Sequence, residues 1–145
     1  MVQTPKPLIA ALRLWAKMAV IDGKVHPDER SLLEFLIQVH APDTDIDYLL
    51  GSVRDIHMDD LIATVTTYED RFFIAMNAYA LATVDEDYSD RERRFFDRLS
   101  ASFSLSEEDL DLLKQTVANE HSEDPQPPDP RLEDLFSRSN FCEAE

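Results

Sequence analysis

"IDGKVHPDER" (residues 21–30) sets an aspartate, a glycine and a histidine–proline pair between two apolar runs, and "VDEDYSDRER" (84–93) repeats its outline. Sliding the chain along itself by 63 residues puts Ala19 on Ala82, Ile21 on Val84, Asp22 on Asp85, Glu29 on Glu92 and Arg30 on Arg93. Leu32, Leu33 and Leu36 then meet Phe95, Phe96 and Leu99. Apolar falls on apolar, and both acids coincide. The pattern reads as one helix–loop–helix unit used twice, giving an approximate internal two-fold. Two copies at so long an interval do not make a solenoid.

On the N-terminal side of the first loop, Leu8, Ile9, Leu12, Trp15, Ala16, Ala19 and Val20 recur at three- and four-residue spacings. That spacing predicts an amphipathic helix over about 5–21. Its Lys6, Arg13 and Lys17 could rest on an anionic membrane surface, but a core-packing helix with a solvated face is the expectation. On the C-terminal side, Pro27 suits the first turn of a second helix, about 27–40, which Pro42 ends.

Two shorter helices are expected over 44–56, opened by Thr44, and over 58–68. Longer ones follow over 69–84, 89–103 and 106–120. About seven helices and no strand make the fold class all-α. Only two glycines and abundant Leu, Ala, Glu and Arg agree with it. The Phe95, Phe96 and Phe103 stripe reads as core packing.

At Glu120 the texture changes. "HSEDPQPPDP" (121–130) holds four prolines and reads as an extended linker. Beyond it, Leu132, Leu135 and Phe136 fall at helical spacing. They are candidate partner-binding residues, with a frayed tail or a segment folded back on its own domain as the other readings. The expected organisation is therefore an all-helical domain over 1–120, followed by a proline-rich acidic linker and short interaction segment over 121–145.

The 145 residues carry a formal charge of −16, with 43% hydrophobic side chains, enough to bury a core. Residues 1–40 hold five basic and four acidic side chains; 41–145 hold nine and twenty-six. Such a balance excludes direct contact with a nucleic-acid backbone. It favours cations or basic partners. A single cysteine, Cys142, rules out an internal disulfide. No apolar run approaches the ~18 residues of a membrane span, and no leader is evident, so the expected location is the cytoplasm.

Capping accounts for part of the repeated loop. "SDRE" (89–92) fits a capping box, with Ser89 accepting from the third residue on and Glu92 reaching back. Glu29 holds the same third position after His26, which is a poor cap. Capping does not explain Asp22 and Asp85, which sit where a helix dipole disfavours an anion. The functional alternative is oxygen ligation of a hard divalent cation by Asp22, Glu29, Asp85 and Glu92, calcium or magnesium rather than zinc. An EF-hand fails on spacing. From Asp85, the sixth position is Asp90 and the twelfth Phe96; from Asp22, the third is Lys24 and the twelfth Leu33. His26, His40, His57 and His121 have no zinc-ligand spacing. No phosphate loop or nucleophile–base pairing is visible, so a non-enzymatic protein is expected.

"MAVIDGKVHPDERSLLEFL" (18–36) resembles the TerB-like family, which includes tellurite-resistance TerB and the N-terminal domain of DjlA-type membrane co-chaperones. The family's mark is an Ala-rich helix running into Asp-Gly-x-aliphatic-x-x-x-Glu and then an amphipathic helix. Asp22, Gly23, Val25 and Glu29 match it. In the second unit Asp85 and Glu92 match, Tyr88 takes the aliphatic slot, and Glu86 replaces the glycine. The resemblance covers about residues 5–118. It implies a roughly seven-helix pseudo-symmetric domain with an acidic divalent-metal site, acting as a protein-interaction scaffold in stress-response or membrane-linked assemblies, where peripheral membrane association fits. Tellurite resistance itself does not transfer with a fold. Two other roles compete: an acidic decoy that covers a basic, nucleic-acid-binding protein surface, and an adaptor working through its C-terminal segment.

Overall fold

The computed structural model describes residues 6–21, 23, 25–84, 88–120, 122–124, 126–127 and 129–138. The helices are α1 (Lys6–Val20), α2 (Pro27–His40), α3 (Ile46–Ser52), α4 (Met58–Thr64), α5 (Tyr68–Thr83), α6 (Asp90–Ser102), α7 (Glu107–Glu120) and α8 (Pro130–Arg138). A 3₁₀ turn, Val53–Asp55, continues α3. No strand occurs among the described residues, and the fold class is all-α as expected.

Two helices form the middle of the bundle. α1 buries Leu8, Ala10, Ala11, Leu12, Leu14, Trp15, Ala16, Met18 and Ala19, and is apolar around most of its circumference. α5 likewise buries Phe72, Phe73, Ile74, Ala75, Met76, Ala78, Leu81 and Ala82. A helix that is apolar nearly all round belongs inside a bundle rather than on its surface. α1 packs on α5 and is flanked by α2, α3 and α4, while α5 is flanked by α6, α7 and α8. The buried Trp15 indole joins the two central helices by donating Nε1 to the Ile74 carbonyl at 3.0 Å. Placed here, α1 is a core helix and not a membrane-surface one. Its Lys17 ammonium is held between the carbonyls of Val53 (3.0 Å) and Ile56 (2.6 Å), and burial pulls its pKa down from the ordinary lysine value.

Helix starts follow local chemistry, with one departure from expectation. The cap of α3 is Asp45, whose side chain accepts from the Asp47 N–H at 3.0 Å. Thr44, the expected opener, instead donates its N–H to the Ala41 carbonyl in the preceding turn. Thr67 caps α5 by accepting from the Asp70 N–H.

For the C-terminal segment, the structure shows the reading in which it folds back on its own domain. Leu132 and Leu135 are 6% and 2% exposed and belong to the central core, with Phe136 packed against it. The Phe136 ring meets Phe73 edge-on at 5.7 Å. The face that Leu132, Leu135 and Phe136 present is turned onto the chain's own α5. The preceding stretch does not swing free either. Asn119 clasps Gln126 from both sides, donating Nδ2 to its carbonyl (2.9 Å) and accepting from its N–H (2.7 Å). Apolar burial of three side chains by a helix of nine residues explains why the segment returns to the bundle.

Candidate functional site

The repeated loops join α1 to α2 and α5 to α6. In the first, Gly23 adopts φ +85° and donates its N–H to the Val20 carbonyl at 2.9 Å. That left-handed conformation is readily open only to glycine. Val25 then packs on the core. Its counterpart 63 residues on, Tyr88, does the same, against Tyr79 at 5.7 Å. The slot that the sequence fills with Val in one unit and Tyr in the other is an apolar anchor in both.

After each anchor a helix begins, and its third residue is a buried glutamate. Glu29 in α2 and Glu92 in α6 are each 1% exposed. Around Glu92 the expected capping box is present: Ser89 Oγ accepts from the Glu92 N–H, and Glu92 Oε1 accepts from the Ser89 N–H, both at 3.1 Å. At the head of α2, His26 makes no side-chain cap bond and Pro27 occupies the first turn. The two glutamates thus occupy matching positions with different local support. α6 is pinned by aromatic contacts, with Tyr79 against Phe96 at 5.1 Å, Arg93 over Tyr88 at 5.0 Å and Lys114 over Phe96 at 5.8 Å. Burial pushes the Tyr88 hydroxyl pKa up, with Asp97 adding to the shift.

Asp22 and Asp85, the other two candidate ligands, lie outside the described residues, as does Cys142. Among the described residues, no three His, Cys, Asp or Glu side chains are grouped to hold a metal ion. No helix among them is long and apolar enough to cross a membrane.

A second acidic centre was not evident in the sequence. Asp109, in the first turn of α7, is 5% exposed. It accepts from Tyr68 Oη at 2.5 Å and from Arg131 Nε and Nη2 at 3.3 and 3.1 Å. Its own N–H donates to Ser106 Oγ, which caps the helix. Burial alone raises its pKa, but the bonds from Arg131 and Tyr68 outweigh that and leave it below the ordinary aspartate value. "SEED" at 106–109 carries the cap signature; the partners Tyr68 and Arg131 are remote in sequence and left no signal.

No protein-family model matches the chain, and neither does any curated protein. Among solved structures it is similar to the protein of unknown function PG1108 from Porphyromonas gingivalis W83, at 19% identity and a TM-score of 0.53. The match covers 79% of this chain and 98% of that one. It is a likeness of fold.

Proposed function

We propose that this chain is a non-enzymatic, TerB-like module that binds a divalent cation through Asp22, Glu29, Asp85 and Glu92 and serves as an interaction scaffold in a stress-response or membrane-linked assembly. The observation that carries the reading is the burial of Glu29 and Glu92 at matching positions of two loop–helix units. Removing a carboxylate from water is costly unless hydrogen bonds or a cation replace its hydration. The positive end of each helix favours a carboxylate there by about 0.3–1 kcal/mol. A hard cation suits the four-residue donor set, which is all carboxylate and contains neither thiolate nor imidazole.

The chemistry of Glu92 fits this use. A carboxylate offers about four lone-pair sites, so accepting from Ser89 through Oε1 is compatible with ligation through Oε2. A bound ion would crosslink the two loops and fix the α1–α2 and α5–α6 corners relative to each other. The role we assign to such an ion is structural.

Calorimetric titration of the chelator-treated chain with calcium and with magnesium tests the reading. Saturable heat that disappears in the Asp22→Asn/Asp85→Asn variant supports it. No heat, or heat unchanged in that variant, removes the cation and leaves the glutamates as helix-capping residues alone.

A further inference from the structure

A cleft of about 720 Å³ opens between α1, the Val53–Asp55 turn, the start of α4 and α6. Five cationic side chains line it: Lys17, Arg54, Arg91, Arg94 and Arg98. They are five of the fourteen basic residues in a chain whose formal charge is −16. Asp55 is the one carboxylate among the described residues of the lining. Ile21, Ile56, Met58 and Phe95 supply apolar wall between the charges.

The cations differ in what already holds them. Lys17 is bound to two backbone carbonyls. Arg98 is paired with Asp59, its Nη2 at 3.1 Å from both carboxylate oxygens. Arg94 Nε donates to the Asp90 carbonyl at 3.3 Å. Among the described residues, no ion pair is formed by Arg54, Arg91 or Arg94. All three are exposed. Three guanidinium groups left with unspent charge around one concavity repel one another and raise the local potential against the field of the whole chain.

Arg91, Arg94 and Arg98 recur at three- and four-residue steps along α6, so they share one helix face. At about 1.5 Å per residue the row is roughly 10 Å long. Alternate side chains of an extended peptide are about 6.6 Å apart, so acids at every second position reach successive arginines of this row. Guanidinium groups bind carboxylates through two parallel N–H donors. The interleaved apolar wall then suits a ligand that carries apolar as well as acidic side chains.

We propose that this cleft receives an extended acidic segment of a partner protein, its carboxylates paired with Arg91, Arg94 and Arg54 and its apolar side chains against Ile21, Ile56 and Phe95. The pairing needs no bound cation, so it can fail or succeed independently of the loop acids. Because the chain as a whole repels acidic ligands, binding is local. It depends on arginine geometry within the ~8 Å over which charges act at physiological salt.

The test is fluorescence anisotropy of a labelled peptide of four Glu-Leu repeats titrated with the full chain at about 0.15 M salt. Saturable binding is expected for the wild type. The Arg91→Ala/Arg94→Ala variant should weaken it roughly tenfold or more, and the corresponding double lysine variant should weaken it less. Arg54→Ala, on a different element, should also weaken it and guards against misfolding of the α6 variant. Arg13→Ala, outside the cleft, should leave binding unchanged. Absence of binding by the wild type, or equal binding by the Arg91→Ala/Arg94→Ala variant, overturns the proposal. So does displacement of the peptide by an equimolar amount of inorganic pyrophosphate, which would make the cleft a phosphate site.

Discussion

Arg131 in α8 grips Asp109 in α7 across 22 residues of chain, through Nε and Nη2, while Tyr68 at the head of α5 holds the same carboxylate. Three helices therefore meet on one buried acid. Asp109→Ala removes the shared acceptor of the Tyr68 hydroxyl and the Arg131 guanidinium, leaving them only the longer contacts to Ser106 (3.4 Å) and Asp134 (3.6 Å), and is expected to cost about 1–3 kcal/mol. Chemical denaturation measures it. Arg131 is about half exposed, so Arg131→Ala should cost less. Because the folded-state pKa of Asp109 lies below its ordinary 3.8, its contribution is present above that pH and lost as pH falls through the lower, folded value. Asp109→Asn should flatten the acid limb of the stability curve below about pH 4.

His40 ends α2 against two rings, Trp15 at 6.1 Å and Phe73 at 5.7 Å. Burial lowers its pKa from 6.5, so the folded state takes up a proton less readily than the unfolded chain. Its penalty is absent above about pH 6.5 and grows as pH falls toward the folded value. Between pH 7.5 and 5.5 the melting temperature of the wild type should fall further than that of His40→Phe.

Two left-handed residues make opposite predictions. Gly23 at φ +85° has nothing within 4 Å of where a Cβ would stand, so Gly23→Ala meets backbone strain without a clash. It should destabilise by about 1 kcal/mol. Ser104 at φ +56° closes α6: its N–H reaches the Ala101 carbonyl, and the Leu105 N–H reaches that of Ser100. This is the Schellman arrangement with serine where glycine is usual, so Ser104→Gly should stabilise by up to about 1 kcal/mol. Thermal unfolding of both variants reads the pair of signs.

The seating of α8 makes a further demand. Leu135 is 2% exposed, and Leu135→Ala should cost about 2–5 kcal/mol as a core truncation. Removing residues 121–145 should lower the melting temperature as well, since it uncovers the core face of Phe73. A free C-terminal adaptor segment would leave both quantities unchanged.

Helical periodicity and the breaks at Pro27, Pro42 and the Ser89 capping box are local signals, and the helices fall close to where those signals place them. The central position of α1 and α5 was less legible. Both carry apolar residues on nearly every face, as in "FFIAMNAYALA" (72–82), and helical periodicity alone does not say which helices the others surround. The return of α8 depends on Phe73 and Asp109, which lie far off in sequence, so Leu132, Leu135 and Phe136 read equally well as a partner face. Of the loop acids, the match at 63 residues gives Glu29 and Glu92 equivalent positions, but their burial depends on the packing around each helix start. The cleft of arginines has no such match, because Arg54 and Lys17 join the α6 row only through the packing of α1 and the 3₁₀ turn.

A divalent cation shared by the two acid loops should stabilise the fold. The most direct measurement is thermal unfolding of the chelator-treated chain with and without calcium, for the wild type and for Asp22→Asn/Asp85→Asn. At an ion concentration about 100-fold above Kd the stabilisation should be about 2.7 kcal/mol, a rise of several degrees in the wild type. The variant should show none. Equal melting temperatures for the wild type with and without calcium, and likewise with magnesium, would rule out a shared cation and return Glu29 and Glu92 to helix capping.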